Sequence, residues 1–273
     1  IGNFLVELCI IRSCLIWPQK SKYRITDIRL SNVMISVCIA MHNGGEYIVE
    51  ELKSILSQIG YSDEVIISDD GSTDDSIQSV LSLHDDRIKV YSYKCAQQGE
   101  IARYYVTKNF ENALIHANGD TIFMADQDDL WKPNKVKVCV EQLQQYDLVL
   151  SELDICDGDG NPTGEKWFNG KFCQNNPLKI KGMTYQGCAM AFNRKVLEAS
   201  LPFPEKLLPH DHWIGYIAEM IGTVKYIDEP LMYYRIHDHN VSGDSPSTNS
   251  LWFKISYRIY MVKEFLKRRL KIK

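Results

Sequence analysis

The hydrophobic positions of this chain fall into short continuous runs separated by stretches with helical spacing. Met34–Met41 (MISVCIAM) is a nearly unbroken apolar run, the pattern of a strand buried on both faces. After the turn Asn43-Gly44-Gly45, Ile48, Leu52, Ile55, Leu56 and Ile59 recur at spacings that share one helix face. Val65–Ser68 reads as a second strand ending in Asp69-Asp70-Gly71-Ser72, where Ser72 or Thr73 is placed to cap a helix carrying Ile77, Val80 and Leu81. Ile88–Tyr93 reads as a third strand. A helix bearing Val106, Phe110, Ala113, Leu114 and Ala117 follows, with Gly119 as its C-terminal stop. Thr121–Ala125 is a fourth strand, running into Asp126-Gln127-Asp128-Asp129. A helix over Asn134–Gln145 and a strand over Leu148–Leu153 come next. From Asp157 the periodicity weakens until Tyr185–Phe192; His210–Ile221 then reads as a helix and Thr223–Ile227 as a strand.

Strands alternating with helices predict an α/β fold, a mostly parallel Rossmann-like sheet with flanking helices in a single domain. The expected organisation is an N-terminal extension over 1–33, one domain over 34–243 and a basic amphipathic segment over 244–273. The chain begins with Ile, so the first segment is read as a truncated start or an upstream extension ahead of Met34. Its 273 residues, 45% hydrophobic and 24% charged, are enough for a sizeable core and exclude disorder or a fibrous repeat. The net charge of −4 averages unlike parts: +3 over 1–33, −14 over 34–250 and +7 over 251–273. An acidic body argues against a nucleic-acid binder, whose basic charge lines the folded face. Eight scattered cysteines without a CxxC pair point to reduced thiols in a cytoplasmic protein. No apolar run reaches the length of about 18 residues that spans a bilayer.

In an open α/β sheet, ligands sit beyond the carboxyl ends of the strands. That rule selects the turn after Met41, the Asp69-Asp70 pair and the Asp126–Asp129 cluster. Carboxylates gathered at one sheet edge repel one another unless a cation intervenes. A divalent Mg or Mn ion with oxygen ligands, shared with a phosphate-bearing substrate, resolves that repulsion. The alternative for any single acidic pair is a solvated turn.

Three strand-end segments, Ile39-Ala40-Met41-His42-Asn43, Ile66–Asp74 (IISDDGSTD) and Met124–Trp131 (MADQDDLW), resemble the family 2 glycosyltransferases of GT-A fold. The likeness continues, in the family's order, through Gly187–Phe192 (GCAMAF), His210-Asp211-His212-Trp213 and Arg235-Ile236-His237…Asn240-Val241-Ser242. The Asp-Gln-Asp-Asp-x-Trp form is most similar to bacterial rhamnosyltransferase-like enzymes of surface polysaccharide synthesis. The resemblance implies an inverting transferase using a dTDP- or UDP-linked sugar and a saccharide or lipid-linked acceptor. It implies nucleotide contacts from Ala40, His42, Asn43, Glu46, Asp69, Asp70 and Asp126. It implies metal ligation by Asp128, with Asp126 and His237, and a catalytic base at Asp211. Sugar or acceptor contacts fall to Gln127, Asp129, Trp131, Gly187, Cys188, His210 and Trp213, the last as an apolar platform for a sugar ring. Arg103 is weighed between the diphosphate and a plain surface position.

Rival readings are a sugar nucleotidyltransferase, disfavoured because Asn43-Gly44-Gly45 lacks an adjoining Lys, and a non-catalytic sugar- or partner-binding module on the same fold. Zinc at His210/His212 or His237/His239 is disfavoured because i, i+2 histidines on a helix diverge. Asp157–Asn161 imitates the start of a calcium loop but lacks its glycine and glutamate, and is read as a turn. Trp167, Phe168 and Phe172 suit an acceptor groove and a core equally. In the tail, Trp252, Ile255, Ile259, Val262, Leu266 and Leu270 recur at helical spacing among eight Lys and Arg. That pattern suits either peripheral contact with the inner face of a membrane or a terminal helix packed on the domain.

Overall fold

The computed structural model describes residues 33–94, 102–174, 184–208, 210–238, 240 and 250–272. The expected N-terminal extension, His239 and the Val241-Ser242 end of the last motif therefore lie outside the described residues. Residues 32–273 form one compact unit.

Continuous apolar runs become buried parallel strands. β1 (Ile35–Met41) lies between β2 (Glu64–Asp69) and β4 (Thr121–Ala125), with β3 (Ile88–Ser92) outside β2, and these four run parallel. Both faces of β1 are covered, so Val37, Cys38, Ile39 and Met41 have no solvent contact. β8 (Met190–Asn193) adds antiparallel to β4, and β6 (Leu148–Cys156) antiparallel to β8. Two reversals restore the direction, so β6 and its parallel neighbour β9 (Val224–Arg235) point the same way as β4. The sheet order is β3-β2-β1-β4-β8-β6-β9-β5, where β5 (Leu130–Trp131) caps the β9 edge and β7 (Pro162–Lys166) forms a hairpin on β6.

The helices are α1 (Ile48–Leu56), α2 (Ser76–Leu81), α3 (Ala102–Ile115), α4 (Lys135–Leu143), α5 (Arg194–Ser200), α6 (His210–Ile221) and α7 (Leu251–Ile272). α1 buries Ile48, Leu52 and Ile55, the face its spacing predicts. Two local expectations change. α2 is not capped by Ser72 or Thr73; the Asp74 carboxylate instead accepts the Ser76 amide (3.1 Å) and hydroxyl. Gly119 does not end a helix, since α3 stops at Ile115. Gly119 passes so close to β1 that a Cβ there would lie 2.6 Å from the Ser36 nitrogen.

β9 is longer than its periodicity suggests. The expected strand ends at Ile227, yet β9 continues through Asp228-Glu229-Pro230 by shifting register between Ser151 and Glu152 of β6. Such an irregularity accommodates a residue with no N–H to give. Trp167, Phe168 and Phe172 belong to the packed interior: Phe168 is fully buried and Phe172 stacks on Tyr226 at 5.1 Å. Asp157–Asn161 is the β6–β7 turn, with Asp157 Oδ1 accepting the amides of Asp159 and Asn161.

Candidate active site

Because β1, β2, β4, β6 and β9 share a direction, their carboxyl ends meet at one sheet edge. α6 leads into β9, so its first turn arrives at that edge too. The topology thereby gathers the loops after Met41, Asp69, Ala125, Cys156 and Arg235 around the start of α6.

The β1 and β2 loops are laced together. Asn43, with a positive φ of 51°, accepts the Thr73 amide on Oδ1 (2.8 Å) and donates its own amide to Ser72 Oγ (2.9 Å). His42 Nδ1 donates to the Asp70 carbonyl (2.9 Å), which leaves Nε2 to accept from Asn43 Nδ2 (3.3 Å). His42, Asn43 and Glu46 remain exposed and Asp70 half-exposed, while Ala40 sits half-buried at the strand end. Asp69 departs from its expected ligand contact. Its buried carboxylate accepts the Ser72 amide (3.2 Å) and hydroxyl, so it shapes the turn that presents Asp70.

Gln127 also has another task. Its Oε1 accepts the His42 amide (2.8 Å) and its Nε2 donates to the His42 carbonyl (3.2 Å), clamping the β4 loop to the β1 loop. With both amide atoms engaged on the chain, it is a loop clamp and not the expected sugar contact.

The acidic cluster divides in two. Asp126, Asp129 and the Cys188 thiol offer atoms within 4.8 Å of one another. Burial and the nearby Asp128 push Asp126 up to about 7. Burial, with Asp128 and Asp126, holds Asp129 well above the usual carboxylate range. Burial also raises the Cys188 thiol, which keeps it protonated. Asp128 is engaged by the loop after β9: its Oδ2 accepts from His237 Nε2 at 2.8 Å and lies 3.4 Å from Asn240 Nδ2. Asp128 and His237, expected to share a metal, are thus brought together by residues 109 positions apart.

Asp129 and Trp131 are not open to a sugar. Asp129 has no solvent contact and Oδ1 accepts the Arg235 amide (3.0 Å). Trp131 is buried against Phe123. Trp213 likewise is no platform: it is fully buried, donates its indole N–H to the Ser200 carbonyl (2.9 Å) and carries Arg268 over its outer face. The His210 ring packs on Phe110 at 4.4 Å, and burial lowers its pKa. Gly187 lies between Met124 of β4 and the His210–Asp211 turn, the close approach that brings Asp211 toward Asp126. Asp211 Oδ1 accepts the His212 amide (2.7 Å). His212 stacks on Tyr216 while His210 packs on Phe110, so the two histidines of the triplet are held by different partners. Arg103 is exposed on α3.

Three important residues receive no role from the motif reading, although Arg235 stands within a motif. Arg235 is buried and joins four elements: its Nε donates to the Asp128 carbonyl, its guanidinium nitrogens to the Gly158 carbonyl and Glu50, and its plane covers Tyr47. Glu51, on the apolar face of α1, is fully buried with neither carboxyl oxygen hydrogen-bonded. Burial and the adjoining Asp129 raise its pKa well above the carboxylate range. Lys135, fully buried on α4, donates to the Cys188 carbonyl (2.7 Å) and places its charge beneath the acidic loop. The available signal for both Glu51 and Lys135 is a charged residue on a helix's apolar stripe, Glu51 between Ile48 and Ile55 and Lys135 beside Val136 and Cys139.

Comparison with known proteins agrees with this geometry. Residues 36–201 match the family model described as glycosyl transferase family 2. An uncharacterised glycosyltransferase of Nostoc sp. is 31% identical over 230 residues, covering 79% of this chain and 69% of that protein. WfgD of Escherichia coli, named a UDP-Glc:alpha-D-GlcNAc-diphosphoundecaprenol beta-1,3-glucosyltransferase, is 27% identical over 181 residues, 65% of this chain and 67% of its own. Among solved structures, the mannosyltransferase PcManGT of Pyrobaculum calidifontis, in complex with GDP-Man and Mn2+, superimposes with a TM-score of 0.56 at 19% identity. The match covers 77% of this chain and 59% of that one. With strand-end carboxylates gathered on a half-parallel, half-mixed α/β sheet and a family model matching most of the domain, the chain belongs to glycosyl transferase family 2 and is a glycosyltransferase.

Proposed function

We propose that the enzyme is an inverting transferase moving a sugar from a nucleotide-diphospho-sugar, with UDP or dTDP as nucleotide, to a saccharide or lipid-linked acceptor in surface polysaccharide synthesis. The observation that carries this reading is Asp211 at the first turn of α6, across Gly187 from Met124 of β4 and near enough for its charge to act on Asp126. The named activity of WfgD and the GDP-Man and Mn2+ of the mannosyltransferase complex support the donor class and an acceptor on a lipid diphosphate.

Exposed His42 and Asn43 brace the rim on which half-exposed Asp70 sits, and the Asp70 carboxylate suits the N–H and hydroxyl groups of a base and ribose. The donor set fits a hard divalent ion, Mg or Mn. The Asp126 and Asp128 carboxylates and the His237 imidazole offer oxygen and nitrogen, and burial followed by the neighbouring Asp128 charge raises the Asp126 pKa, a penalty on its ionised form that a cation relieves. The Cys188 sulfur is a soft donor and does not fit such a hard ion. When bound, the ion would neutralise the diphosphate leaving group.

Asp211 takes the proton of the acceptor hydroxyl as that oxygen bonds to the anomeric carbon; the bond from that carbon to the diphosphate oxygen breaks, and the nucleoside diphosphate departs. Asp211→Asn is the decisive variant: transfer falls by roughly a hundredfold or more, while donor affinity by calorimetry stays near wild type. Turnover at the wild-type rate removes Asp211 from this role. Release of pyrophosphate on incubation with a sugar phosphate and a nucleoside triphosphate would favour the nucleotidyltransferase reading.

A further inference from the structure

The helix α7 has two apolar faces on opposite sides, and among the described residues only one of them is packed. At roughly 100° per residue, Tyr257, Met261, Phe265 and Arg268 fall on the side that meets the domain. The Tyr257 hydroxyl accepts the Leu208 amide (2.9 Å) and the Tyr260 hydroxyl the Lys206 amide (3.1 Å). Arg268 donates to the carbonyls of Ala199 and Leu201 at 2.8 and 2.7 Å. These contacts hold the segment that leads into α6. Trp252, Ile255, Ile259, Val262, Leu266 and Leu270 fall together on the far side. They face solvent, with Trp252 80%, Ile259 65% and Leu270 77% exposed. A lone exposed Leu means little, but an unbroken ridge six side chains long is an interaction surface.

The flanks say what the ridge meets. Exposed Lys263, Lys267 and Lys271 line one side and exposed Arg258 and Arg269 the other. Glu264, the sole acid of residues 251–273, lies toward the docked side and pairs with Lys267 at 2.6 Å. A second copy on this ridge would bring basic flanks together with no acid to meet them, which disfavours self-pairing. An anionic surface accepts both flanks, and its hydrocarbon boundary accepts the ridge.

We infer that α7 is a bilayer-docking helix: it lies in the plane of an anionic membrane, with its outer ridge in the headgroup boundary and its inner face bolted to the catalytic domain. This stands on the helix alone. The test needs neither donor nor metal, so its failure leaves the transferase assignment untouched.

The test is sedimentation of the full chain with vesicles of phosphatidylcholine alone and of phosphatidylcholine with phosphatidylglycerol. The expected result is binding to the anionic vesicles, weakened by added salt. Lys263→Gln and Arg269→Gln each lower partitioning roughly fivefold, and Leu266→Ser by about tenfold. All three positions face solvent, so circular dichroism and Tm should match wild type. Absence of wild-type binding overturns the inference, as does equal binding by all three variants. A concentration-dependent dimer that Leu266→Ser abolishes, without vesicle binding, would assign the ridge to a second copy instead.

Discussion

Gln127 and Trp213 show what a motif leaves open at the scale of one residue. Both lie within segments that carry the family likeness, and both were expected near the sugar. Gln127 instead makes two hydrogen bonds to His42, 85 positions away in the chain. Trp213 points into the core. A motif fixes which residues are present, whereas side-chain direction depends on partners brought from elsewhere. Asp126 and Asp128 stand out as carboxylates directly after a buried apolar run, whereas Asp211 is singled out only by the resemblance, since an acid in a helix's first turn is as often structural. For Gln127→Ala, the loss of two partly exposed hydrogen bonds should cost about 1 kcal/mol of stability. It should also raise KM for the donor more than it lowers kcat, because the β1 loop loses its tether while Asp211 is untouched. Steady-state kinetics with urea unfolding checks this, and an equal fall in kcat with KM constant would contradict it.

Among the elements, α6 is the one whose placement matters most to the site, and one glycine governs it. Gly215 faces Tyr185 so closely that a Cβ would lie 2.2 Å from the ring. Alanine normally favours a helix interior over glycine by about 1 kcal/mol. Here the overpacking term, about 1–3 kcal/mol, opposes and exceeds that gain. Gly215→Ala should therefore lower Tm and, by displacing the first turn of α6, lower transfer as well; a rise in Tm would show that Tyr185 swings aside at no cost. The elements themselves were largely readable: α6 falls where its periodicity placed it, and the four parallel strands differ from expectation only at their ends. Apolar spacing marks only Thr223–Ile227 of β9, because the polar Asp228-Glu229-Pro230 stretch is carried into the strand by a register shift against β6. β7 was missed because all five of its residues are exposed and carry no apolar alternation.

At the scale of the whole molecule, the acidic body has a thermodynamic signature. Asp126 has an ordinary value of 3.8 and in the fold is pushed up to about 7, so between these limits the native state holds the proton more tightly than the unfolded chain. That group's contribution is complete below the unfolded value and is lost as pH rises through about 7. Without divalent cation, Tm should fall between about pH 5 and about pH 8. Added Mn2+, binding only the folded state, should restore it most at the higher pH. Glu51 adds to the same trend, since its buried carboxyl is also held protonated. Glu51→Leu should raise Tm at about pH 8 and change it little at about pH 5, because the variant removes a charge that only forms when pH is high. A pH-independent Tm in the metal-free wild type would contradict both statements.

The sequence by itself determined, through apolar period, the order of the main strands and helices from β1 to β6 and again at α6, and the identity of the carboxylates that end those strands. It also determined that the tail is basic and amphipathic. Tertiary structure alone decided which carboxylates converge and which turn inward. Asp126, Asp129 and Cys188 meet only because β4 and the segment before β8 are neighbours. His237 reaches Asp128 only because two strand reversals return β9 to the direction of β4. It alone decided that the apolar stripe of the tail faces outward, because Tyr257, Tyr260 and Arg268 on the opposite side carry the hydrogen bonds that hold the helix to the domain. The physical reason is range. Period and strand-end chemistry are local to a few residues, whereas convergence and burial depend on partners that the chain brings from a hundred positions away.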